Sequence, residues 1–363
     1  MRRKTLVTLD HADHDADVLV VTNGWPNEDN DGYCVFIKRQ VDSLLELGVR
    51  CDVLFIRGYR SALAYPLAAL RLGLWSLTRR RRRYRLVHAH SGEAALAAAF
   101  YRRAPLLVSY LGDDLLGRPR ANGTVPLIWR IRRAVVRHLS RVATQTITKS
   151  REMQAVLPAR VRAANRVLPN GVDMKLFRPM DRTEARRELG WDPAPHIALF
   201  AADPAVTRKR YFLAQAAVER ARRLIPDLEL EVTQGVTPNR VPLFMNAADC
   251  LILTSSIEGS PNVVKEALMC NLPVVATPVG DVAELLDGVT PSYVCEPDET
   301  KLMEAIVACL RERRRSNGRE VSHHLDSRVV AQSLLALYKE VAPELELTAE
   351  PATQPATRET TAA

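Results

Sequence analysis

Residues 250–277 read CLILTSSIEGSPNVVKEALMCNLPVVAT, and this segment carries the clearest pattern of secondary structure in the chain. Its two ends, CLILT and PVVAT, are short apolar runs with the β-branched residues that buried strands favour. Between them, a Gly-Ser-Pro turn precedes a predicted helix from Asn262 to about Cys270. Pro261 suits the first turn of that helix because its missing N–H needs no partner there. A buried strand, a helix and a second buried strand predict part of a parallel sheet.

The same alternation of strands and helices extends over most of the chain. In the first half, DVLVVT (17–22) is followed by the strand-like runs CDVLFI, RLVHAH, PLLVSY and ATQTIT. In the second half, a new series begins at HIALFAA (196–202) and continues through LELEVTQ to the stretch above and then SYVC. We therefore predict an α/β protein of two Rossmann-like domains that face each other across a cleft. The ligand crevice is expected at the carboxyl ends of the strands.

The boundary between the two domains is predicted within VLPNGVDMKLFRP (167–179), which combines two prolines with Asn-Gly and coincides with a change in the sign of the charge. We place the N-terminal domain at 1–172 and the C-terminal domain at 173–326. A last helical pattern at 327–343 is predicted to pack back near the N-terminal domain. The polar, Pro- and Thr-rich tail at 346–363 is predicted to be disordered.

The composition is that of an ordinary globular protein, because 47% of the 363 residues are hydrophobic and 26% are charged. The sequence has no run of about 18 uncharged apolar residues, so we expect no membrane-spanning helix. Four aspartates between Asp10 and Asp17 interrupt any apolar signal core, and we expect a cytoplasmic protein. The six cysteines form no CxxC pair, and we expect free thiols rather than a zinc site or a disulfide framework.

The positive charge is concentrated in the first half of the chain. Residues 1–172 carry 29 Lys and Arg against 14 Asp and Glu, a net +15, whereas the rest has a net −6. Within this half, ALAYPLAALRLGLWSLTRRRRRYR (62–85) joins an apolar run to five arginines, 79–83. Two interpretations stand: an amphipathic helix on an anionic lipid surface, or a core helix followed by a solvated turn. The arginines lack interleaved aromatics, so we expect no nucleic-acid partner, although a basic nucleic-acid-binding protein stays an alternative.

Two glutamates bracket the turn in the opening stretch. The helix after Pro261 offers unpaired N–H groups and the positive end of its dipole, an anion site that suits a diphosphate. Glu258 lies before this helix start, and Glu266 lies about one turn inside, where a carboxylate can accept hydrogen bonds from two neighbouring sugar hydroxyls. The spacing fits a nucleotide sugar, with its ribose at Glu266 and a hexose near Glu258. The alternative is that both are solvated acids.

Residues 244–286, which extend the opening stretch from FMNAAD to AELL, resemble the signature of the retaining GT-B glycosyltransferases of family 4, also called group 1. The segment 167–179 resembles that family's interdomain segment, and VHAHSG (87–92) resembles one of its N-terminal elements. The resemblance implies a GT-B fold and transfer of a hexose-type sugar, with retention, from a UDP-, GDP- or ADP-sugar to an acceptor. It also implies that no metal or other cofactor is needed.

The resemblance implies a set of donor-binding residues. Glu266 would bind the donor ribose, and Glu258 would hold the donor sugar. Lys209 would contact the diphosphate; otherwise it is a solvated cation at a helix start. Asp203 departs from an arginine of the family, so Arg208 or Arg210 would supply the missing charge. The loop residues that would bind the donor with Glu258 are Gly259, Ser260, Pro261, Asn262 and Val263.

On the acceptor side, the resemblance implies Gly32 and Asp113 as contacts. Asp114 and His90 are candidate catalytic residues, although His90 can equally be a structural histidine at the end of a strand. Leu111 stands where many relatives have a histidine near the transferred sugar. Neither the Asp113–Asp114 pair nor DHADHD (10–15) is expected to bind metal, because the pair has no evident third ligand and the second is expected to be a solvated leader.

The sequence contains no Ser-His-Asp set, P-loop or GxGxxG motif. The implied mechanism is same-face attack, with the departing diphosphate accepting the acceptor's proton and cationic groups neutralising its charge. We expect a lipid-linked or saccharide acceptor in glycolipid, cell-envelope or polysaccharide synthesis, with 62–85 on the inner face of the plasma membrane. The remaining alternatives are an epimerase-like GT-B enzyme, which needs no acceptor, and a non-catalytic donor-binding protein.

Overall fold

The computed structural model describes residues 5–10, 16–78, 84–117 and 124–347. In these residues, strands form two sheets with the orders β1-β3-β2-β4-β5-β6-β7 and β12-β11-β10-β8-β9. The first sheet consists of β1 (Val7–Asp10), β2 (Val18–Thr22), β3 (Cys51–Ile56), β4 (Leu86–His90), β5 (Leu106–Ser109), β6 (Gln145–Thr148) and β7 (Arg166–Val167). The second sheet consists of β8 (His196–Phe200), β9 (Leu228–Val232), β10 (Cys250–Leu253), β11 (Val274–Ala276) and β12 (Tyr293–Val294).

Helices connect the strands and cover both sheets. Those of the first half are α1 (Val35–Glu46), α2 (Ala64–Leu77), α3 (Gly92–Ala98), α4 (Asp113–Leu116), α5 (Leu127–Leu139), α6 (Arg151–Ala155) and α7 (Ala159–Ala164). Those of the second half are α8 (Arg182–Leu189), α9 (Tyr211–Ala221), α10 (Val241–Ala247), α11 (Asn262–Met269), α12 (Val282–Leu285), α13 (Glu299–Arg311), α14 (Gly318–Val321) and α15 (Ser327–Val341).

Both sheets are parallel apart from one edge. β2 pairs in parallel with β3 and β4, and β10 pairs in parallel with β8 and β11. Every residue of β2 and β10 is buried, because helices cover both faces, and this is why these strands are unbroken apolar runs in the sequence. The prediction of an α/β protein with two parallel-sheet domains is confirmed.

The edge strand β1 was not predicted. It pairs antiparallel with β3, with Leu9 opposite Leu54 and Asp10 opposite Val53. A four-residue strand at a sheet edge gives too short a pattern to separate from a leader. Asp10, the first residue of the predicted leader DHADHD (10–15), therefore belongs to a strand, and residues 11–15 lie outside the described residues.

The chain passes between the two sheets at two neighbouring places. The Val172 N–H donates to the Leu325 carbonyl at 2.8 Å, and the Ser327 N–H donates to the Val172 carbonyl at 2.8 Å. Gly171 lies so close to the second crossing that a Cβ there would come within 2.5 Å of the Ser327 Cα. The outgoing and the returning segment are therefore bonded to each other side by side.

After the second crossing, α15 packs on the helix α1 and on the first sheet. Its Leu334 and Tyr338 belong to the same core as Ile37 and Val41 of α1. The Tyr338 hydroxyl also lies 2.6 Å from Nδ1 of His88, a buried residue of β4. The last helix of the chain thus completes the core of the first domain.

Most of the apolar part of the segment 62–85 forms the helix α2. Its inner face, which includes Ala68, Leu72 and Trp75, is buried in the first core. The arginines 79–83 lie outside the described residues, as does the predicted tail from 348 onward. Among the described helices, none combines the length and the apolar character that crossing a bilayer requires.

All six cysteines lie in the described part of the chain and are free thiols. Cys34 and Cys295 are half-buried, and the others are buried. Burial raises the pKa of the Cys34 and Cys295 thiols to about 11, so both carry a proton at neutral pH. The expectation of free thiols is confirmed.

Candidate active site

The loop after β10 and the turn after β8 bring three predicted residues together. These strands are neighbours in a parallel sheet, so the connections that leave their carboxyl ends lie side by side. The Lys209 Nζ donates to Oε1 of Glu258 at 2.5 Å, and the Arg208 Nη1 donates to the same oxygen at 3.3 Å. The Ser255 hydroxyl donates to it at 2.8 Å. Two cations therefore meet one carboxylate, which leaves a net positive charge at this edge of the sheet.

Arg210 has a different role from its neighbours. Its backbone is left-handed, with φ of 50°, and its guanidinium donates to the carbonyls of Thr254 at 2.6 Å and Ser255 at 2.7 Å. These bonds fix the start of α9 to the end of β10. The second cation at Glu258 is thus supplied by Arg208 and not by Arg210. Asp203, the departure from the family pattern, is exposed and accepts hydrogen bonds from the Ala205 amide and the Gln234 side chain.

Glu266 lies at the seam between the two domains. Its Oε1 accepts a hydrogen bond at 3.4 Å from Nη1 of Arg39, which belongs to α1 of the first domain. The Arg39 guanidinium also stacks over the ring of Phe177 at 5.3 Å. Burial raises the pKa of Glu266, and the cations Arg39 and Lys265 oppose that rise. The position of Glu266 in the second turn of α11 thus places its carboxylate between the domains.

A buried polar network supports the loop that carries Glu258. The Lys265 ammonium donates to the Asn170 carbonyl at 3.0 Å and to the Ser260 hydroxyl at 3.2 Å. Ser260 also bonds to the carboxylate of Asp281, and the Asn170 side chain donates to Oδ1 of Asn262 at 3.3 Å. Burial lowers the pKa of Lys265 to about 8. The predicted donor residues Ser260 and Asn262 are therefore tied to the interdomain segment.

The other predicted residues of this loop shape its backbone. Pro261 is buried and directly precedes α11, which begins at Asn262 as expected. Val263 is half-buried and packs against the second core. Gly259 approaches the first domain closely, because a Cβ there would come within 3.0 Å of the Leu111 carbonyl and 3.1 Å of the Gly112 Cα.

The predicted acceptor-side residues lie on the first domain. Gly32 reaches the seam, because a Cβ there would come within 3.3 Å of Pro238, a residue of the second domain. Asp113 is half-buried at the start of α4. His90 ends β4 and is buried against His88, with ring centroids 4.1 Å apart. Burial and the charge of Lys149 lower the pKa of His90 to about 3, so its imidazole is neutral at physiological pH.

Asp114, a predicted catalytic candidate, lies in a shell of backbone amides. Its carboxylate is buried and accepts hydrogen bonds from the backbone amides of Gly92, Leu111, Gly112 and Leu115 at 2.9–3.2 Å. Burial and the nearby Glu93 raise its pKa to about 6. Asp114 thus holds the start of α3 and the loop before α4 in place and is a positioning residue.

We predict that Asp114→Asn lowers the free energy of unfolding by about 1–3 kcal/mol, because the new NH₂ group would face backbone donors and leave at least one of them unpaired in the interior. Chemical denaturation measures the change. Asp287→Asn, at an exposed position, is the matched control and should change stability by less than about 0.5 kcal/mol. Equal stabilities of the two variants would contradict the positioning role.

No group of three or more His, Cys, Asp or Glu side chains within the described ranges is arranged to hold a metal ion. The pair Asp113–Asp114 therefore has no third ligand in this part of the chain.

Two family models match the chain, each over one of the two halves. The model described as Glycosyltransferase Family 4 matches residues 8–176, and the model described as Glycosyl transferases group 1 matches residues 207–312. The chain belongs to the group 1 glycosyltransferases of family 4. The matched regions of this glycosyltransferase include Gly32, His90 and Asp114 in the first domain, and Lys209, Glu258 and Glu266 in the second.

Comparison with known proteins places this glycosyltransferase among GT-B folds. It is 31% identical over 209 residues to the D-inositol 3-phosphate glycosyltransferase of Segniliparus rotundus, over 48% of this chain and 46% of that protein. The chain thus spans about half the length of the curated relatives it matches. The sucrose-phosphate synthase structure from Thermosynechococcus elongatus has a TM-score of 0.73 at 17% identity, over 90% of this chain and 99% of that one. Anabaena Alr3699/HepE in complex with UDP-glucose has a TM-score of 0.65 at 17% identity, over 89% and 99%.

Three site residues of this glycosyltransferase escaped the sequence analysis. Arg39 is one of several polar residues on an amphipathic helix, and nothing in its spacing shows that it reaches the other domain. Lys265 carried a signal, since a lysine stands between the apolar residues of α11, but its partner Asn170 is 95 residues away. Asp281 follows Gly280 in a loop and reads as solvated. Only the fold brings these side chains to the loop.

Proposed function

We propose that this protein is a retaining glycosyltransferase that moves a hexose-type sugar from a nucleoside diphosphate sugar to an acceptor hydroxyl. The observation that carries the proposal is the cluster of Lys209, Arg208 and Glu258 beside the start of α11, with Glu266 in the second turn of the same helix. The cluster supplies positive charge for a diphosphate, and Glu266 supplies acceptor oxygens for the hydroxyls of a ribose.

The cluster would neutralise the leaving group. Lys209 and Arg208 share one carboxylate, and the first amides of α11 add the positive end of a helix dipole. When the bond between the anomeric carbon and the diphosphate breaks, negative charge grows on the departing oxygen. Preorganised cations and N–H groups stabilise that charge at no cost of reorganisation. Glu258, which already holds the ammonium, would orient it and accept hydrogen bonds from the donor sugar.

Glu266 would hold the nucleoside. A carboxylate has two acceptor oxygens and can receive both hydroxyls of a ribose. Arg39 now occupies one of these oxygens at 3.4 Å, a long hydrogen bond that a sugar hydroxyl can replace. Because Arg39 comes from the first domain, a nucleoside that binds at Glu266 would replace a contact between the two domains.

The proton of the acceptor is proposed to go to the departing diphosphate. The acceptor oxygen bonds to the anomeric carbon on the face from which the diphosphate leaves, and a diphosphate oxygen takes the hydroxyl proton. Two features of the first domain support this route. The carboxylate of Asp114 is surrounded by backbone amides, and the ring of the buried His90 has no hydrogen-bond partner within the described residues that could relay a proton.

Donor screening and product analysis test this proposal. Melting temperature is measured with UDP-, GDP- and ADP-glucose and the corresponding mannose donors, because a ligand at about 100 times its Kd adds about 2.7 kcal/mol of stability. The stabilising donor is then incubated with and without saccharide and lipid-linked acceptors, and NMR reads the anomer formed. A glycoside of the donor's configuration supports the proposal. Donor isomerised without acceptor supports the epimerase alternative, and binding without turnover supports the non-catalytic one.

We also propose that the acceptor is presented at an anionic membrane surface. On α2, the outer residues are exposed leucines, among them Leu70 at 61% and Leu77 at 79%. α5 repeats the arrangement, because Leu127 is 67% and Ile131 is 51% exposed, while the half-buried Arg132 of the same helix pairs with Glu93. Both helices pack on α3. An exposed apolar band on a half with a net charge of +15 suits lipid with acidic headgroups.

Co-sedimentation with vesicles tests the membrane proposal. The wild-type protein is expected to bind vesicles that contain phosphatidylglycerol at low salt, and to bind less as salt rises, because the attraction is screened. Leu70→Glu and Ile131→Glu should each lower vesicle affinity about tenfold or more, since each loses the burial of a large apolar side chain. Leu224→Glu replaces an equally exposed leucine of the second domain and should leave binding unchanged. No binding by the wild-type protein, or equal loss in all three variants, would contradict the proposal.

A further inference from the structure

The proposed function makes no use of Lys149, a buried lysine of the first domain. Lys149 directly follows β6, and only 3% of it is exposed. Its ammonium forms no hydrogen bond and no ion pair within 4 Å with any residue in the described ranges. Burial, together with the charge of Lys265, lowers its pKa to about 7. Folding an unpaired ammonium into the interior is costly, and buried groups with shifted pKa values cluster at functional sites.

The described residues around Lys149 offer no free anion. The acid that attracts it is Asp114, and four backbone amides already surround that carboxylate. The other charged neighbour, Lys265, repels it across the domain seam. Two buried ammonium groups, one from each domain, therefore lie near each other with no carboxylate in contact with Lys149.

Lys149 shares its edge of the sheet with His90. The strands β4, β5 and β6 are neighbours, and His90 ends the first of them while Lys149 follows the last. His90 is 1% exposed, and neither of its ring nitrogens has a hydrogen-bond partner among the described residues. The unpartnered ring of His90 and the side chain of Lys149 thus lie at the carboxyl ends of β4 and β6, on either side of β5, at the edge where α/β domains bind ligands.

This edge faces the proposed donor site. Between His90 and Lys149, the continuation of β5 leads to Gly112, which touches Gly259 of the second domain. Met153, four residues after Lys149, lies against the same glycine, because a Cβ on Gly259 would come within 2.9 Å of its Sδ. The residues that flank Lys149 at the sheet edge and in α6 therefore contact the loop that carries Glu258.

We infer that Lys149, assisted by the His90 ring, forms a second phosphate-binding position on the first domain, opposite the Lys209 cluster. A lysine ammonium is a compact charge that suits phosphate oxygens, and a neutral imidazole can donate one N–H to the same group. The phosphate would come either from the donor's diphosphate or from a phosphorylated acceptor. The inference rests on the proposed function, because that function brings a substrate into the seam.

The test compares Lys149→Met, which keeps length and removes charge, with Lys301→Met as a matched control. Lys301 is exposed on α13 and pairs with Glu304 at 3.2 Å. In the first arm, calorimetry measures the Kd of UDP, GDP and ADP. In the second arm, inorganic phosphate is titrated into protein saturated with the diphosphate that binds. Lys149→Gln repeats both arms if the methionine variant does not fold.

Each source of phosphate predicts its own result. If Lys149 contacts the donor, Lys149→Met weakens nucleoside diphosphate binding about 10- to 100-fold, as expected for loss of a charged hydrogen-bond donor. If it contacts a phosphorylated acceptor, diphosphate binding is unchanged and the second arm loses its signal. Lys149→Arg should retain part of the lost affinity in either case, and Lys301→Met should change neither arm.

Two results would overturn the inference in distinguishable ways. Wild-type protein that binds a nucleoside diphosphate, with Lys149→Met equal to it in both arms, would overturn this inference alone. Wild-type protein that binds none of the diphosphates would overturn the proposed function and this inference with it.

Discussion

Lys209→Ala is expected to lower kcat by about 100- to 1000-fold while the protein stays folded. The Lys209 ammonium lies 2.5 Å from Glu258, in the position proposed to neutralise the departing diphosphate. Its charge is needed most in the transition state, so its loss should appear in kcat more than in KM. Steady-state kinetics with the identified donor measures the effect, and circular dichroism confirms the fold.

Controls for this prediction separate charge at the site from charge elsewhere. Lys301→Ala removes an exposed lysine and should leave kcat within about twofold of the wild-type value. Glu266→Ala should also abolish most turnover, because it removes the proposed ribose contact. A wild-type rate in Lys209→Ala or in Glu266→Ala would reject the assignment of that residue to the site.

Gly259→Ala is expected to lower kcat/KM at least tenfold by separating the two domains. The added methyl group would meet the Leu111 carbonyl at 3.0 Å and the Gly112 Cα at 3.1 Å, and both are backbone atoms that cannot rotate away. Overpacking of this kind costs about 1–3 kcal/mol, and the conflict lies between domains rather than inside one. The closed arrangement of Arg39 and Glu266 should therefore be lost before either domain unfolds.

Two measurements check the Gly259 prediction. Kinetics gives kcat/KM, and small-angle X-ray scattering reports whether the domains have moved apart. Gly73→Ala is the matched control, because this glycine lies inside α2 and a Cβ there would have its nearest neighbour 4.0 Å away, at the Cβ of Phe100. Gly73→Ala should keep full activity and gain about 0.5–1 kcal/mol of stability. Full activity of Gly259→Ala would show that the seam does not need this close approach.

The sequence was sufficient for most of the elements and for the place of the loop from Glu258 to Val263. Buried parallel strands are unbroken apolar runs, and the loop from Glu258 to Val263 follows one of them, so its place at the sheet edge could be inferred. Lys209 was assigned from the resemblance, and its contact with Glu258 joins two predicted residues. Local patterns suffice here because each residue sits next to a recognisable strand end.

The residues that were missed depend on contacts between distant parts of the chain. The backbone amides around Asp114 could not be predicted, because the loop folds them onto the carboxylate only in the folded chain. Lys149 looked like an ordinary residue at the end of a strand, and only the fold shows that it is buried without a counter-charge. Arg39 reaches Glu266 across 227 positions of sequence, which no periodicity can indicate.

The pair of bonded crossings at Val172 and Ser327 constrains how the halves can travel. Because the two linkers are hydrogen-bonded to each other at one place, the domains can rotate only about that place. Opening the cleft must therefore bend the outgoing and the returning segment together. A cut in either linker would still leave the lobes tethered through the other. The two domains are thus joined by a single two-stranded hinge.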